Sequence, residues 1–152
     1  MTAAALHLSV QYAATGTAPP RDQIRRWVKA TLRAVEAPAA SLTIRFVDDT
    51  EGRSLNHQYR GRDYATNVLT FAYPAVECAV EGDIVVCLPV VEAEARAQHK
   101  DPRLHCAHLV VHGTLHACGH DHVDPAEADA MEALERDVLA GFGIVDPYRI
   151  ED

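Results

Sequence analysis

Seven of the nine histidines in this chain fall between positions 99 and 122, and three of them are spaced as metal ligands: His112-Gly-Thr-Leu-His116-Ala-Cys-Gly119-His-Asp-His122. On a helix, side chains four residues apart stand one above the other, with about 5–6 Å between Cβ atoms. His112 and His116 can therefore converge on one ion through bonds of about 2.0–2.1 Å. A third ligand has to come from beyond the helix. Gly119 permits a left-handed turn without the steric cost of a Cβ, and such a turn brings His122 back over the same face. Three protein ligands leave one coordination position open, which marks a catalytic site rather than a structural one.

Neighbouring residues compete for these roles. His108 lies one turn before His112, but His108 and His116 are about 12 Å apart along a helix rising ~1.5 Å per residue, too far to share one ion. The pair beside the turn is preferred, and His108 reads as a packing or supporting residue. His120 rivals His122 as third ligand, the spacing favouring His122. Cys118 points off the stripe and reads as a small buried residue. The H-x-x-x-H-x-x-G-x-x-H spacing is shared with metzincin proteases. Those enzymes carry a glutamate directly after the first histidine as general base, whereas Gly113 stands here. A peptidase mechanism built on that glutamate is therefore closed. A bound ion can still activate water, with Asp121 the nearby carboxylate that could assist.

The elements that must hold these residues can be read from periodicity. Leu6–Gln11 and Ser41–Val47 alternate apolar and polar residues and predict strands. Asn67–Tyr73 predicts a strand closed by Pro74. Gly82–Leu88 is apolar enough for a strand inside the sheet, with Asp83 read as a turn or cap residue. Asp22–Val35 carries apolar residues at helical spacing. Asp48-Asp49-Thr50 offers N-cap chemistry for a short helix to about Arg60, stopped at Gly61. Pro89–His99 predicts a helix, Pro102 starts the histidine-bearing one, and Pro125 opens a last helix with Met131, Leu134, Val138 and Leu139 on one face. The expectation is an α+β fold: a small mixed sheet of about four strands packed with about five helices, the metal site at the end of a buried helix.

Composition bounds the function. The 152 residues, 48% hydrophobic and 24% charged, suit a single domain spanning 1–152. The longest apolar runs are too short to span a bilayer, and no secretory leader is visible. This points to the cytoplasm, where Cys78, Cys87, Cys106 and Cys118 stay reduced. None of the four forms a C-x-x-C pair. A net charge of −8 argues against broad nucleic-acid binding but leaves room for a local basic cleft.

Two separated segments carry a resemblance. Leu55-Asn-His-Gln-Tyr59-Arg60-Gly-Arg62-Asp63-Tyr-Ala-Thr66-Asn67-Val68-Leu69-Thr70-Phe71 precedes Gly82-Asp83-Ile84-Val-Val-Cys87. The histidine motif follows, then Met131-Glu132-Ala-Leu-Glu135 and Asp146-Pro147-Tyr148. Over roughly residues 40–150, read as one domain, this is similar to the YbeY family of bacterial endoribonucleases, the rRNA maturation factors. Departures are mild: Arg62 where lysine is common, Ala65 where proline often occurs, His120 where tyrosine often occurs.

The resemblance implies a zinc-dependent, single-strand-specific endoribonuclease that matures the 3′ end of small-subunit rRNA and serves ribosome quality control. It implies one zinc ion on His112, His116 and His122, with the ribosome or its proteins as partners. Arg60 matches the family's arginine facing the metal cleft, a catalytic and substrate-binding position. Physically, a guanidinium can grip a phosphate bidentately and stabilise charge that builds during phosphoryl attack. The plainer reading of Arg60 is a cation complementing a helix C-terminus. Asn67 and Thr66 could bond substrate, although a turn at the strand start accounts for both. Two rival functions stand beside the nuclease: a ribosome assembly or binding factor with a structural metal, and a metalloprotease-like hydrolase.

Overall fold

Strand-period alternation and helix-period stripes resolve into nine elements among the residues described by the computed structural model, which are 5–76, 79–120 and 124–148. They run β1 (Ala5–Tyr12), α1 (Arg21–Ala34), β2 (Ala39–Val47), α2 (Asp49–Arg60), β3 (Val68–Val76), β4 (Ala79–Cys87), α3 (Leu88–Ala97), α4 (Pro102–Ala117) and α5 (Pro125–Ala140). The sheet order is β1-β2-β4-β3. β1, β2 and β4 are parallel, and β3 pairs antiparallel with β4 at the edge. This is the expected α+β arrangement of four strands and five helices.

Pleating sends alternate residues to opposite faces of the sheet. Leu42, Ile44 and Phe46 of β2, with Ile84 and Val86 of β4, enter the main core with α1, α4 and α5, where Ile24, Trp27, Leu115, Met131 and Leu139 are buried. On the other face, Val47, Leu69, Val85 and Cys87 form a smaller cluster joined by Leu55 of α2. β4 is interior, as its apolar run predicts.

Two expectations fail. β3 does not stop at Pro74 but continues to Val76, with a register irregularity between Tyr73 and Val76. It is an edge strand, where a missing N–H and a local bulge are tolerated. Asp83 is not a turn or cap residue: it lies within β4 and accepts a hydrogen bond from the Tyr73 hydroxyl at 2.6 Å.

α4 is buried nearly all round, so its position is set by packing rather than by an amphipathic stripe. Gly113 allows that packing. A Cβ there would stand 2.8 Å from Ile84 Cγ2 and 3.2 Å from Thr70 Oγ1. The position that a zinc protease gives to glutamate is pressed against the sheet and has no room for a larger side chain. Asp101 caps the helix through the amide of Arg103. After Ala117 the chain turns, Gly119 taking φ +96°, a conformation that glycine adopts without strain.

Candidate active site

His112 and His116 project from the last turns of α4, and their Nε2 atoms are 3.1 Å apart. Two ligands on a tetrahedral ion, with bonds of about 2.0–2.1 Å, have nitrogens roughly 3.3 Å apart. The pair therefore presents its nitrogens at coordination spacing. The third expected ligand, His122, lies outside the described residues, as do Asp121 and Cys78.

The other nitrogen of His112 faces inward. Its Nδ1 is 2.5 Å from Oε1 of Glu135, a carboxylate wholly buried on α5. Glu135 Oε2 is 3.2 Å from His108 Nε2 and accepts from the Tyr148 hydroxyl. A carboxylate can only accept, so His112 carries a proton on Nδ1 and it is Nε2 that is turned towards His116. Burial alone would raise the Glu135 pKa. Hydrogen bonds from His108, His112 and Tyr148 outweigh it and bring the value down to about 2. Burial, reinforced by the Glu135 charge, pushes the Tyr148 phenol well above its usual range, so it stays a donor.

Among the described residues, His108, His112 and Glu135 form a group that could hold a metal ion, their ligand atoms lying within 4.8 Å of one another. The His112 Nδ1–Glu135 contact, however, is at hydrogen-bond distance, closer than two ligands of one ion usually stand. A carboxylate behind a ligating imidazole is the usual way to fix its tautomer and ring plane. The donor set thus fits a metal on the Nε2 side of His112, braced from the Nδ1 side.

An open cleft of about 430 Å³ joins this pair to α2 and β3, its lining including Arg60, Asn67, Thr70, His112, His116 and His120. Arg60 ends α2, whose C-cap Gly61 has φ +69°, so it serves both the helix terminus and the cleft. Among the described residues, no hydrogen bond or ion pair engages its guanidinium. The loop that follows is pinned. Arg53 grips Asp63 with bonds of 2.8 and 2.9 Å, which holds the Asp63 carboxyl below its usual pKa. Buried Asn56 donates to the Tyr64 carbonyl at 2.6 Å. Asn67 donates to Glu94 Oε1 at 3.0 Å, and buried His105 meets the same oxygen at 3.0 Å. A larger cavity of about 610 Å³, nearer the start of α4, includes His105, His108, Leu104 and Val145 in its lining but neither Arg60 nor His116.

Sequence reasoning thus placed His112, His116 and Arg60 in one cleft and left Glu135, Tyr148 and Glu94 without roles. The missed signal was Glu135 itself, a charge on the apolar face of α5 between Met131 and Val138, since an unpaired carboxylate is almost never fully buried. The described cysteines, Cys87, Cys106 and Cys118, do not line this cleft. Burial pushes Cys106 up to about 12 and Cys118 up to about 11, which keeps both as thiols.

Comparison with known proteins gives one family. The family profile described as Endoribonuclease YbeY matches residues 11–143. The Endoribonuclease YbeY of Alkalilimnicola ehrlichii is 53% identical, covering 99% of this chain and 95% of that protein. That of Cupriavidus metallidurans is also 53% identical, over 97% of this chain and 76% of its own length. The solution structure of TM1509 from Thermotoga maritima has the same fold, with a TM-score of 0.60 at 22% identity over 94% of this chain and 99% of that one. A cleft built by α2, β3 and α4 around two converging imidazoles is therefore set in a chain that belongs to the YbeY family of endoribonucleases.

Proposed function

We propose that the chain is a single zinc-dependent domain that hydrolyses phosphodiester bonds in single-stranded RNA. The observation that carries this reading is the 3.1 Å approach of His112 Nε2 to His116 Nε2 in the cleft that Arg60 lines. His112, His116 and His122 would hold one zinc ion, an all-imidazole set that suits the metal. When bound, the ion supplies Lewis-acid polarisation of the scissile phosphate and activation of water.

The chain's own residues do the rest. Arg60 grips the non-bridging oxygens of the phosphate and stabilises charge as the bond to the leaving oxygen breaks. Glu135 keeps a proton on His112 Nδ1 and so holds the imidazole plane fixed. Gly113 supports the nuclease reading over a peptidase one, because it leaves no place for the glutamate base of a zinc protease.

The natural substrate in this reading is the 3′ region of small-subunit rRNA, processed in the cytoplasm on the ribosome or beside its proteins. The family resemblance supports that part. Among the described residues, no helix is long and apolar enough to cross a membrane. The test is cleavage of single-stranded RNA by wild type and by His116→Ala at equal purity. The reading expects activity to disappear with the imidazole, and undiminished cleavage by His116→Ala, freed of metal, would overturn it.

A further inference from the structure

An enzyme that grips phosphate through a metal and an arginine has no means, by those contacts alone, of telling RNA from DNA, because both polymers carry the same phosphate. The only donor that a ribose has and a deoxyribose lacks is its 2′-hydroxyl. A site that selects RNA through a direct contact needs an acceptor fixed where that hydroxyl passes.

The cleft contains one. Asn67 sits just before β3 and lines the cleft together with Arg60 and Thr70. Its backbone carbonyl accepts from the Cys87 amide at 2.9 Å, which ties the residue to the end of β4. Its side-chain nitrogen donates to Glu94 Oε1 at 3.0 Å. Because a carboxylate only accepts, this contact decides which end of the amide faces inward: Nδ2 to Glu94, Oδ1 away from it. Glu94 is held in turn by buried His105, whose Nε2 lies 3.0 Å from the same oxygen. Asn67 Oδ1 accepts from no described residue. It is also not one of the buried side-chain atoms left unpaired among the described residues, which are Asn56 Oδ1, His105 Nδ1 and His108 Nδ1. The oxygen is therefore accessible, on a residue that lines the cleft.

A fixed carbonyl oxygen is unsuited to the phosphate itself, since two acceptors repel. Beside the His112–His116 pair, the other polar side chains lining the cleft are of a different kind: Arg60 only donates, the Thr66 and Thr70 hydroxyls can turn either way, and the His120 imidazole presents a donor and an acceptor whose places depend on its tautomer. Base N–H groups could meet Oδ1, but their positions change from base to base, whereas every ribonucleotide carries a 2′-hydroxyl.

We infer that Asn67 Oδ1, oriented by Glu94, accepts the 2′-hydroxyl of a ribose beside the scissile phosphate and so selects RNA over DNA. This rests on the proposed nuclease function and adds to it a specificity-determining residue. Glu94 is a positioning residue in the same device.

The test compares affinities of the intact protein for three single strands of one sequence: RNA, the 2′-fluoro analogue and DNA. The fluoro strand stays close to RNA in sugar shape but has no 2′ donor. Wild type should bind RNA about three- to tenfold more tightly than the fluoro strand, the worth of one hydrogen bond. In Asn67→Ala that ratio should fall towards one, with the bound metal unchanged. Equal binding of RNA and fluoro strands by wild type overturns the inference, whether or not the variant folds. An undiminished ratio in a folded Asn67→Ala overturns it as well. The cleavage assay separates the two levels. A wild type that cuts RNA but ignores the 2′ position refutes only this contact, while a wild type that neither binds nor cuts RNA removes the nuclease reading too.

Discussion

The two sides of His112 differ in almost every physical respect. Behind the ring, Nδ1 meets a carboxylate with no solvent exposure, which two further donors also engage. In front, Nε2 faces an open cleft whose lining includes an arginine with no hydrogen bond among the described residues. The rear is held by hydrogen bonds, and the Arg60 side chain at the front has none among the described residues. The difference separates two jobs. A ring that is to hold a metal gains from being fixed before the ion arrives, and a side chain meant for an incoming phosphate has to keep its donors uncommitted inside the protein.

The largest expected effect breaks the front while sparing the rear. His116→Ala should lose both bound metal and cleavage, and His108→Ala, behind the ring, should retain metal at one ion per chain. Elemental analysis of the two purified variants checks this, and the reverse pattern would move the ion to the His108–His112–Glu135 group. Arg60→Ala comes next. It should lower kcat for RNA cleavage about 100- to 1000-fold, as loss of a charge-stabilising donor does, with metal content unchanged. Equal rates would reduce Arg60 to a helix-terminus cation.

Glu135→Gln attacks the rear. Metal affinity, measured by chelator competition, should fall about 10- to 100-fold, because the amide can present a donor to His112 and release the tautomer. A smaller effect is expected of Tyr148→Phe, which removes one donor from a buried carboxylate. It should cost roughly 1–3 kcal/mol of stability in denaturant titration and leave cleavage of pre-loaded enzyme nearly intact.

The rear also sets an acid limit. The Glu135 pKa is lowered from 4.5 to about 2. A depressed carboxyl contributes stability that is present above its unfolded pKa and lost as pH falls through its folded one. Wild type should therefore lose stability between about pH 4.5 and pH 2, and Glu135→Gln should show a flatter profile there. Parallel acid-unfolding curves would contradict the role given to the carboxylate.

The front was the more legible half in the sequence. His112 and His116 follow from the four-residue helical repeat, and Gly119 announces the turn beyond them; both signals are local. Arg60 was found through the resemblance, and the structure carries it to the cleft at the end of α2. The rear depends on α5 and the segment after it meeting α4, so Glu135 and Tyr148 lie 23 and 36 residues from His112 and no spacing rule connects them. What the sequence offered was indirect, a carboxylate interrupting the apolar stripe of α5. Gly113 is similar. Its mechanistic meaning, a missing base, was visible from the motif, but its structural cause, contact with Ile84 and Thr70, required the packing of α4 on the sheet. Pro74 misled because proline ends interior strands, and only the sheet order shows that β3 is an edge.

The central claim is that the ion binds on the Nε2 side of His112. It can be tested directly by an anomalous-difference map from crystals of the protein loaded with zinc, collected across the zinc absorption edge. The account predicts one peak in the cleft, within bonding distance of both His112 Nε2 and His116 Nε2, with the Nδ1–Glu135 contact preserved. A peak seated among His108, His112 Nδ1 and Glu135 would contradict it.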